Sequence, residues 1–150
     1  MEAKLSEILD NILGLLLLEG SYDIQDEESG FNVMIETEDA GRLIGFKGEN
    51  LTSLQLIINQ MMSKQGGEPE SFKRVILDVS GWRQNKEKEL AEKATEWAGQ
   101  VKESGNEMEL EPMPSWQRRV IHMSVQEIDG VESESIGEGR DRHLVIRPSK

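Results

Sequence analysis

Apolar residues in the first eighty positions switch between two spacings, and that switching restricts the fold more than any other property of the chain. Leu5, Ile8, Leu9, Ile12, Leu13 and Leu16 recur every three or four residues, as the buried face of a helix does. The spacing predicts a helix over residues 3–19, with Gly20 as its stop. Ser21–Asp26 and Phe31–Thr37 then alternate apolar and polar side chains, with Phe31, Val33 and Ile35 on one face and Glu28-Ser29-Gly30 supplying the turn. That is the pattern of a β-hairpin. A short helical segment over Asp39–Ile44 meets Gly45-Phe46-Lys47-Gly48, after which Leu51, Leu54, Ile57, Ile58, Met61 and Met62 return to helical spacing. Gly66-Gly67-Glu68-Pro69 breaks the pattern, and Phe72–Val79 is dense in β-formers. The predicted order is α-β-β-α-α-β, ending near Gly81.

Beyond Gly81 the periodicity weakens. Trp82–Ser104 is rich in Glu, Lys and Ala, with a narrow apolar stripe of Leu90, Ala94, Trp97 and Val101, and reads as a long exposed helix joining two modules. Met108–Leu110 is a short extended piece. Pro112-Met113-Pro114-Ser115 follows, with Ser115 the expected N-cap of a helix over Trp116–Ile128. Gly130 stops that helix, and strands are expected near Val131–Ser135 and Arg142–Arg147. No repeat or low-complexity tract interrupts the chain.

Composition narrows the function classes. The 150 residues suffice for one ordinary domain or two small ones. There is no cysteine, which excludes disulfides, thiolate metal sites and a cysteine nucleophile and suits a reducing cytoplasm. The most apolar run, Ile12–Leu18, lies between Asp10 and Glu19 and is far shorter than the roughly 20 residues of a membrane span. An acidic start with Glu2, Glu7 and Asp10 is unlike a secretory signal. No membrane insertion is expected, and the cytoplasm is the expected location. The formal charge of −12 argues against broad adhesion to a polyanion, so any such partner must be bound locally.

Two short patterns are suited to local binding. With 14 glycines, chance alone places about one G-x-x-G in the chain, so the spacing by itself decides nothing. Two glycines at a corner between helices can simply satisfy positive φ. Here, however, the loop opens the second helix, whose backbone N–H groups can face an anion, and Lys47 adds a positive charge at the same point. The α-β-β-α-α-β order with Gly41-Arg42-Leu43-Ile44-Gly45-Phe46-Lys47-Gly48-Glu49-Asn50-Leu51 between the helices resembles a bacterial type II KH domain. The loop of such a domain clamps about four nucleotides of single-stranded backbone. The resemblance implies RNA contacts from Arg42, Ile44, Gly45, Phe46, Lys47, Gly48 and Leu51. Phe46 stands where such loops usually carry a basic or small residue, and its ring suits base stacking instead.

In the last helix Trp116, Val120, Ser124 and Ile128 form the expected buried side, and Arg118 and His122, four apart, form a ridge on the opposite polar side. A guanidinium takes phosphate through paired hydrogen bonds, and an imidazole can donate to phosphate or stack on a base. Glu111-Pro112-Met113 before the pair, and Glu134-Ser135-Ile136-Gly137-Glu138-Gly139 with Arg142 and Val145 after it, are similar to an R-three-H domain, a single-stranded nucleic-acid binder named for its Arg-x-x-x-His. Arg140 and Arg142 join Arg118 and His122 as the RNA-binding residues that this resemblance implies.

A KH domain, a connecting helix and an R-three-H domain in this order resemble the Jag family (SpoIIIJ-associated, or KhpB), including the stretch Val75-Ile76-Leu77-Asp78-Val79-Ser80-Gly81-Trp82-Arg83. The implied fold is α+β: a type II KH domain over 1–81 with a three-stranded sheet packed on helices, a connecting helix over 82–107, and a small α/β R-three-H domain over 108–150. The implied function is single-stranded RNA binding, with single-stranded DNA as a second candidate, in an RNA chaperone or post-transcriptional regulator linked to cell shape and envelope growth. The chain starts at the KH domain, so functions of the N-terminal Jag domain that many members carry are not expected of it. A second KH protein or a homodimer is the protein partner implied.

Charge counted by module refines this expectation. Residues 1–81 hold 6 basic and 15 acidic side chains, residues 82–111 hold 5 and 8, and residues 112–150 hold 6 and 6. The acidic half leaves room for another reading, an acidic protein–protein adaptor with vestigial RNA binding. For an enzyme, the candidate residues are His122 and His143 among many carboxylates, yet no nucleophile elbow, metal-ligand spacing or nucleotide-hydrolase loop accompanies them. No catalytic residue, metal or cofactor is expected.

Overall fold

The run of leucines near the N-terminus ends its helix earlier than periodicity predicts. In the computed structural model, which describes residues 1–65 and 72–150, α1 spans Glu2–Leu15 and not residues 3–19. Leu17 turns to φ 55, the Leu18 N–H reaches back to the Leu13 carbonyl at 3.0 Å, and the Leu17 N–H to that of Gly14 at 3.1 Å. This is a Schellman closure with leucine in the left-handed position that glycine usually takes, fastened by buried Leu13 and Leu18 on either side of it. Gly20 serves the next strand instead. A Cβ there would lie 2.5 Å from the Glu36 carbonyl oxygen.

The hairpin follows as predicted. Strands β1 (Gly20–Glu27) and β2 (Gly30–Thr37) pair antiparallel from Gly20 opposite Thr37 to Glu27 opposite Gly30. Helix α2 (Ala40–Ile44), a 3-10 turn (Phe46–Gly48) and helix α3 (Glu49–Gln65) lead to β3 (Val75–Val79), which pairs parallel to β2 with Phe31 opposite Val75. The glycine-rich break expected at 66–69 lies outside the described residues, and residues 72–74 precede the strand. Phe31, Val33 and Ile35 alternate into a core shared with Leu5 and Leu9 of α1, Leu43 of α2, Ile58 and Met62 of α3, and Val75, Leu77 and Val79 of β3. Of the six apolar residues expected to face inward from α3, Leu51, Ile58 and Met62 do so fully and Leu54 in part. Ile57 and Met61 lie on the outer side with Leu56.

Strand order is β1-β2-β3, which leaves β3 at an edge of the sheet. An edge strand presents unpaired backbone polar groups, and here α3 satisfies them with side-chain amides. Asn59 Nδ2 donates to the Val75 carbonyl at 2.8 Å and its Oδ1 accepts the Val75 N–H at 2.8 Å; Gln55 Oε1 accepts the Leu77 N–H at 2.9 Å. After β3, Ser80 and Gly81 both take positive φ, and buried Asp78 accepts the Val79 and Arg83 N–H groups, each at 2.7 Å. That closes the start of α4 (Trp82–Ser104).

Contacts divide the chain into two compact units, Met1–Arg83 and Gln84–Lys150. This differs from the expectation of a free connecting helix over 82–107. Leu90, Ala94, Ala98 and Val101 of α4 are buried among Leu110, Ile121, Val125, Val131, Leu144 and Ile146, so the helix belongs to the core of the second unit. Two alanines on the buried row allow close approach and give little hydrophobic signal, which is why the stripe looked too thin to be a core face. The rest of that unit is β4 (Met108–Glu109), α5 (Ser115–Gln126), β5 (Val131–Ile136) and β6 (His143–Pro148), in an antiparallel sheet of order β4-β6-β5. Pro114, and not the expected Ser115, occupies the cap position, its carbonyl accepting the Gln117 and Arg118 N–H groups, each at 3.1 Å.

Replacing Asn59 by alanine strands both polar groups of the buried Val75 and is expected to cost about 2–3 kcal/mol. Urea denaturation followed by circular dichroism measures it, and a loss under about 0.5 kcal/mol would show that α3 is held to the sheet by apolar contacts alone.

Candidate nucleic-acid interface

The glycine loop has its shape because two walls leave no room for anything larger than glycine. At Gly45 (φ 72) a Cβ would lie 2.5 Å from Cγ of Asn50, whose Nδ2 donates back to the Arg42 carbonyl at 2.9 Å. At Gly48 (φ 78) a Cβ would lie 2.4 Å from the ring of Trp82. Between them Lys47 also takes the left-handed region, at φ 53 and ψ 26. Three of the four loop residues thus take positive φ, with Asn50 against Gly45 and Trp82 against Gly48, and Phe46 and Lys47 between the two glycines are exposed. Phe46 is 75% exposed, and the Lys47 ammonium lies 5.4 Å from the centre of its ring, a cation–π distance. The loop tip therefore offers a flat apolar face and a positive charge together.

The other residues expected at this site fall into different roles. Leu51 is buried and shapes the loop from the core without offering a surface, which corrects the expectation that it touches RNA. Ile44 is half-buried against the same core. Arg42 is exposed, but it donates to the Leu16 carbonyl at 3.3 Å and lies 4.0 Å from Asp39, so it ties α2 to the end of α1. Lys47 and Phe46 remain as the outward groups. Motif reading assigned no role to Asn50 or Trp82, because a loop's walls carry no periodicity.

In the second unit the buried row of α5 is Gln117, Ile121 and Val125, one residue round from the expected Trp116, Val120, Ser124 and Ile128. That rotation of about 100° moves Arg118 and His122 from the back of the helix to its flank, where α5 meets β5. Arg118 Nε donates to the Met113 carbonyl at 3.1 Å and Nη1 to Ser135 Oγ at 2.9 Å. His122 Nδ1 lies 2.6 Å from Ser133 Oγ, and Nε2 lies 2.9 Å from the Gln126 amide nitrogen. Both ring nitrogens are engaged inside the unit, so the ring face is the part of His122 not committed to a hydrogen bond. Of the two roles expected for it, this favours stacking over donation to phosphate.

Partial burial, and then the nearby positive charge of Arg142, lower the pKa of Arg118, which stays charged throughout the accessible range. Arg142 is exposed and donates to the Gly137 carbonyl at 3.1 Å. Two guanidinium groups close enough to repel each other form a place where an anion is favoured. Arg140 sits exposed in the short turn Gly139–Asp141, two residues before Arg142. The structure thus gathers Arg118, His122 and Arg142, with Ser133, Ser135 and Gln126 as supports that motif reading did not single out. Period-two alternation in β5 was the available signal for the two serines.

His143, weighed as a catalytic candidate, is held in place instead. Its Nδ1 donates to the Asp141 carbonyl at 2.8 Å, and Glu109 Oε1 lies 2.6 Å from Nε2 in an ion-pair contact. The bond to the Asp141 carbonyl, followed by the Glu109 carboxylate, raises its pKa against the opposing effect of desolvation. Among the described residues no helix is long and apolar enough to cross a membrane.

Comparison with known sequences agrees with this geometry. The profile of the KhpA/KhpB KH domain matches residues 3–76, and that of the R-three-H domain matches residues 88–148, a range that includes most of α4. The two units are thus a KH domain and an R-three-H domain. An RNA-binding protein KhpB of Clostridium symbiosum is 30% identical over 148 residues, covering 97% of this chain and 65% of its own length. One from Bacillus subtilis is 33% identical over 131 residues, covering 85% of this chain and 62% of its own. Both domains match those of the KhpB (Jag) family. It spans slightly less than two thirds of the length of these relatives.

Gly48→Ala forces a Cβ into the Trp82 ring at a positive φ and is expected to destabilise the first unit by about 2–3 kcal/mol in thermal denaturation. For His143, a pKa raised on folding means that its contribution is complete below the unfolded value of about 6.5 and is lost as pH rises through the higher folded value. The gap in urea midpoint between wild type and His143→Gln should therefore be wide at pH 5.5 and narrow by pH 9. A constant gap would show that the histidine acts through packing.

Proposed function

We propose that this chain binds single-stranded RNA, with the Phe46–Lys47 tip and the Arg118, His122 and Arg142 rim as its two contact sites. The observation that carries the reading is the loop. Gly45 and Gly48 are walled by Asn50 and Trp82 so that a base-stacking ring and an ammonium project side by side, complementary to an unstacked base and the adjacent phosphate. The rim repeats the combination with a ring face and two repelling guanidinium groups. The KhpB relatives are named as RNA-binding proteins, which supports the same substrate class here. Single-stranded DNA offers the same phosphates and bases and is the second ligand class.

The role we assign is a non-catalytic one in the cytoplasm, as an RNA chaperone or post-transcriptional regulator. A second KH-bearing chain, whether a copy of this one or another protein, is the protein partner that fits the exposed Leu56 and Ile57 of α3.

Few cationic contacts imply a shallow salt dependence. With about three phosphates neutralised, the logarithm of the association constant is expected to fall with the logarithm of salt at a slope near −2. Lys47→Asp keeps a residue tolerant of positive φ while reversing the charge, and should weaken binding about tenfold in fluorescence anisotropy. Arg118→Ala should weaken it by a similar factor and flatten the slope by about 0.7. Unchanged affinity in both variants would exclude these sites. Salt-sensitive capture of a basic protein without RNA binding would support the adaptor reading.

A further inference from the structure

The Arg118 and His122 pair is matched by a second pair on the neighbouring strand. Four residues of helix advance about 6 Å, and two residues of strand advance about 6.7 Å. An Arg-x-x-x-His on α5 lying along β5 therefore meets a Ser-x-Ser in step. Ser135 Oγ accepts from Arg118 Nη1 at 2.9 Å and Ser133 Oγ lies 2.6 Å from His122 Nδ1, one hydroxyl for each motif residue. The strand's alternation puts both serines on the face that carries buried Val131, toward the helix. Glu132 and Glu134 point the other way.

We propose that Ser133 and Ser135 are positioning residues of the RNA-binding rim, holding the guanidinium and the imidazole at a fixed separation before RNA arrives. This rests on the RNA-binding reading of the rim. For Arg118, Ser135 and the Met113 carbonyl fix Nη1 and Nε, which sets the plane of the guanidinium and leaves Nη2 as the outward edge. For His122, Gln126 donates to Nε2, so Nδ1 carries the proton and donates to Ser133. The ring is thereby locked in one tautomer and one orientation. Freezing both side chains in advance removes an ordering cost from binding. The serines hold charge and ring in place while contributing no charge of their own.

Threonine and valine share a shape, both suit a strand, and only threonine keeps the hydroxyl. With the full chain and a fluorescein-labelled single-stranded RNA of mixed sequence, Ser135→Val and Ser133→Val should each raise Kd roughly three- to tenfold. Ser135→Thr and Ser133→Thr should bind like wild type. The salt slope should stay unchanged in Ser135→Val, since no charge is lost, but flatten in Arg118→Ala. Because Ser135 acts through Arg118, Ser135→Val should add nothing in an Arg118→Ala background. Equal binding by the valine and threonine variants, or an equal cost of Ser135→Val with and without Arg118, would overturn the proposal. If the wild type fails to hold the RNA, the binding reading falls and the positioning claim is decided on the free protein. Nitrogen-15 spectra should then show His122 as the Nδ1–H tautomer in wild type and as a mixture in Ser133→Val, and no change would overturn it.

Discussion

The amide of Asn59, closing on both polar groups of Val75, is the contact on which the first unit's geometry depends. A helix packed on a sheet by apolar side chains alone can slide or rotate by a fraction of a turn, since dispersion has no direction. Two hydrogen bonds to one residue, with a third from Gln55 to Leu77, fix the position of α3 along β3 and its rotation. The consequence appears at the other end of the helix. Gly48 directly precedes α3, and Trp82 follows β3 by way of the turn at Ser80 and Gly81. Once α3 and β3 are in register, the indole is carried to the underside of Gly48, and the loop can take only the path that pushes Phe46 and Lys47 outward. The same amides cover an edge that would otherwise be open to pairing with another strand.

The second unit reaches a comparable result by a different route. Burying Gln117, Ile121 and Val125, and not the neighbouring row, brings Arg118 and His122 to the seam between helix and sheet. On an exposed ridge, each side chain would sample many rotamers, and ordering it would offset part of any binding energy. At the seam each is partly buried and supported by hydroxyl, carbonyl or amide groups. Desolvation also strengthens what the guanidinium can do, because its attraction for an anion is less screened than in open water.

Periodicity made most of the architecture legible. The α-β-β-α-α-β order, the inward face of the hairpin and the position of the loop all follow from residues whose spacing is set by burial. What periodicity missed shares one cause, namely that a helical stripe one residue wide is ambiguous when small or polar residues sit in it. Gln117 hid the true face of α5, Ala94 and Ala98 hid the packing of α4, and Ile57 and Met61 extended the apparent core face of α3 onto its outer side. Leu17 concealed the end of α1 because leucine is not the residue a left-handed closure normally uses. Motif reading singled out the loop glycines, Lys47, Phe46, Arg118, His122 and Arg142, whose chemistry is visible in the residue type. It included Leu51, which the structure buries, and assigned no role to the supports, since a wall such as Trp82 is defined by what it touches.

Acidity bears on the proposed function through distance. Side chains separated by more than about 8 Å are largely screened at physiological salt, so those of the 15 acidic residues of the first 81 that lie beyond that distance do little to cancel the charge of Lys47 at contact. A chain with this balance does not hold RNA by charge alone. It must rely on stacking faces and on side chains ordered before the encounter, which are the two properties the loop and the rim share. On the proposed reading the two sites discriminate by geometry: an unstacked base beside a free phosphate matches a ring next to a positive charge, whereas the bases of duplex RNA are already stacked on one another.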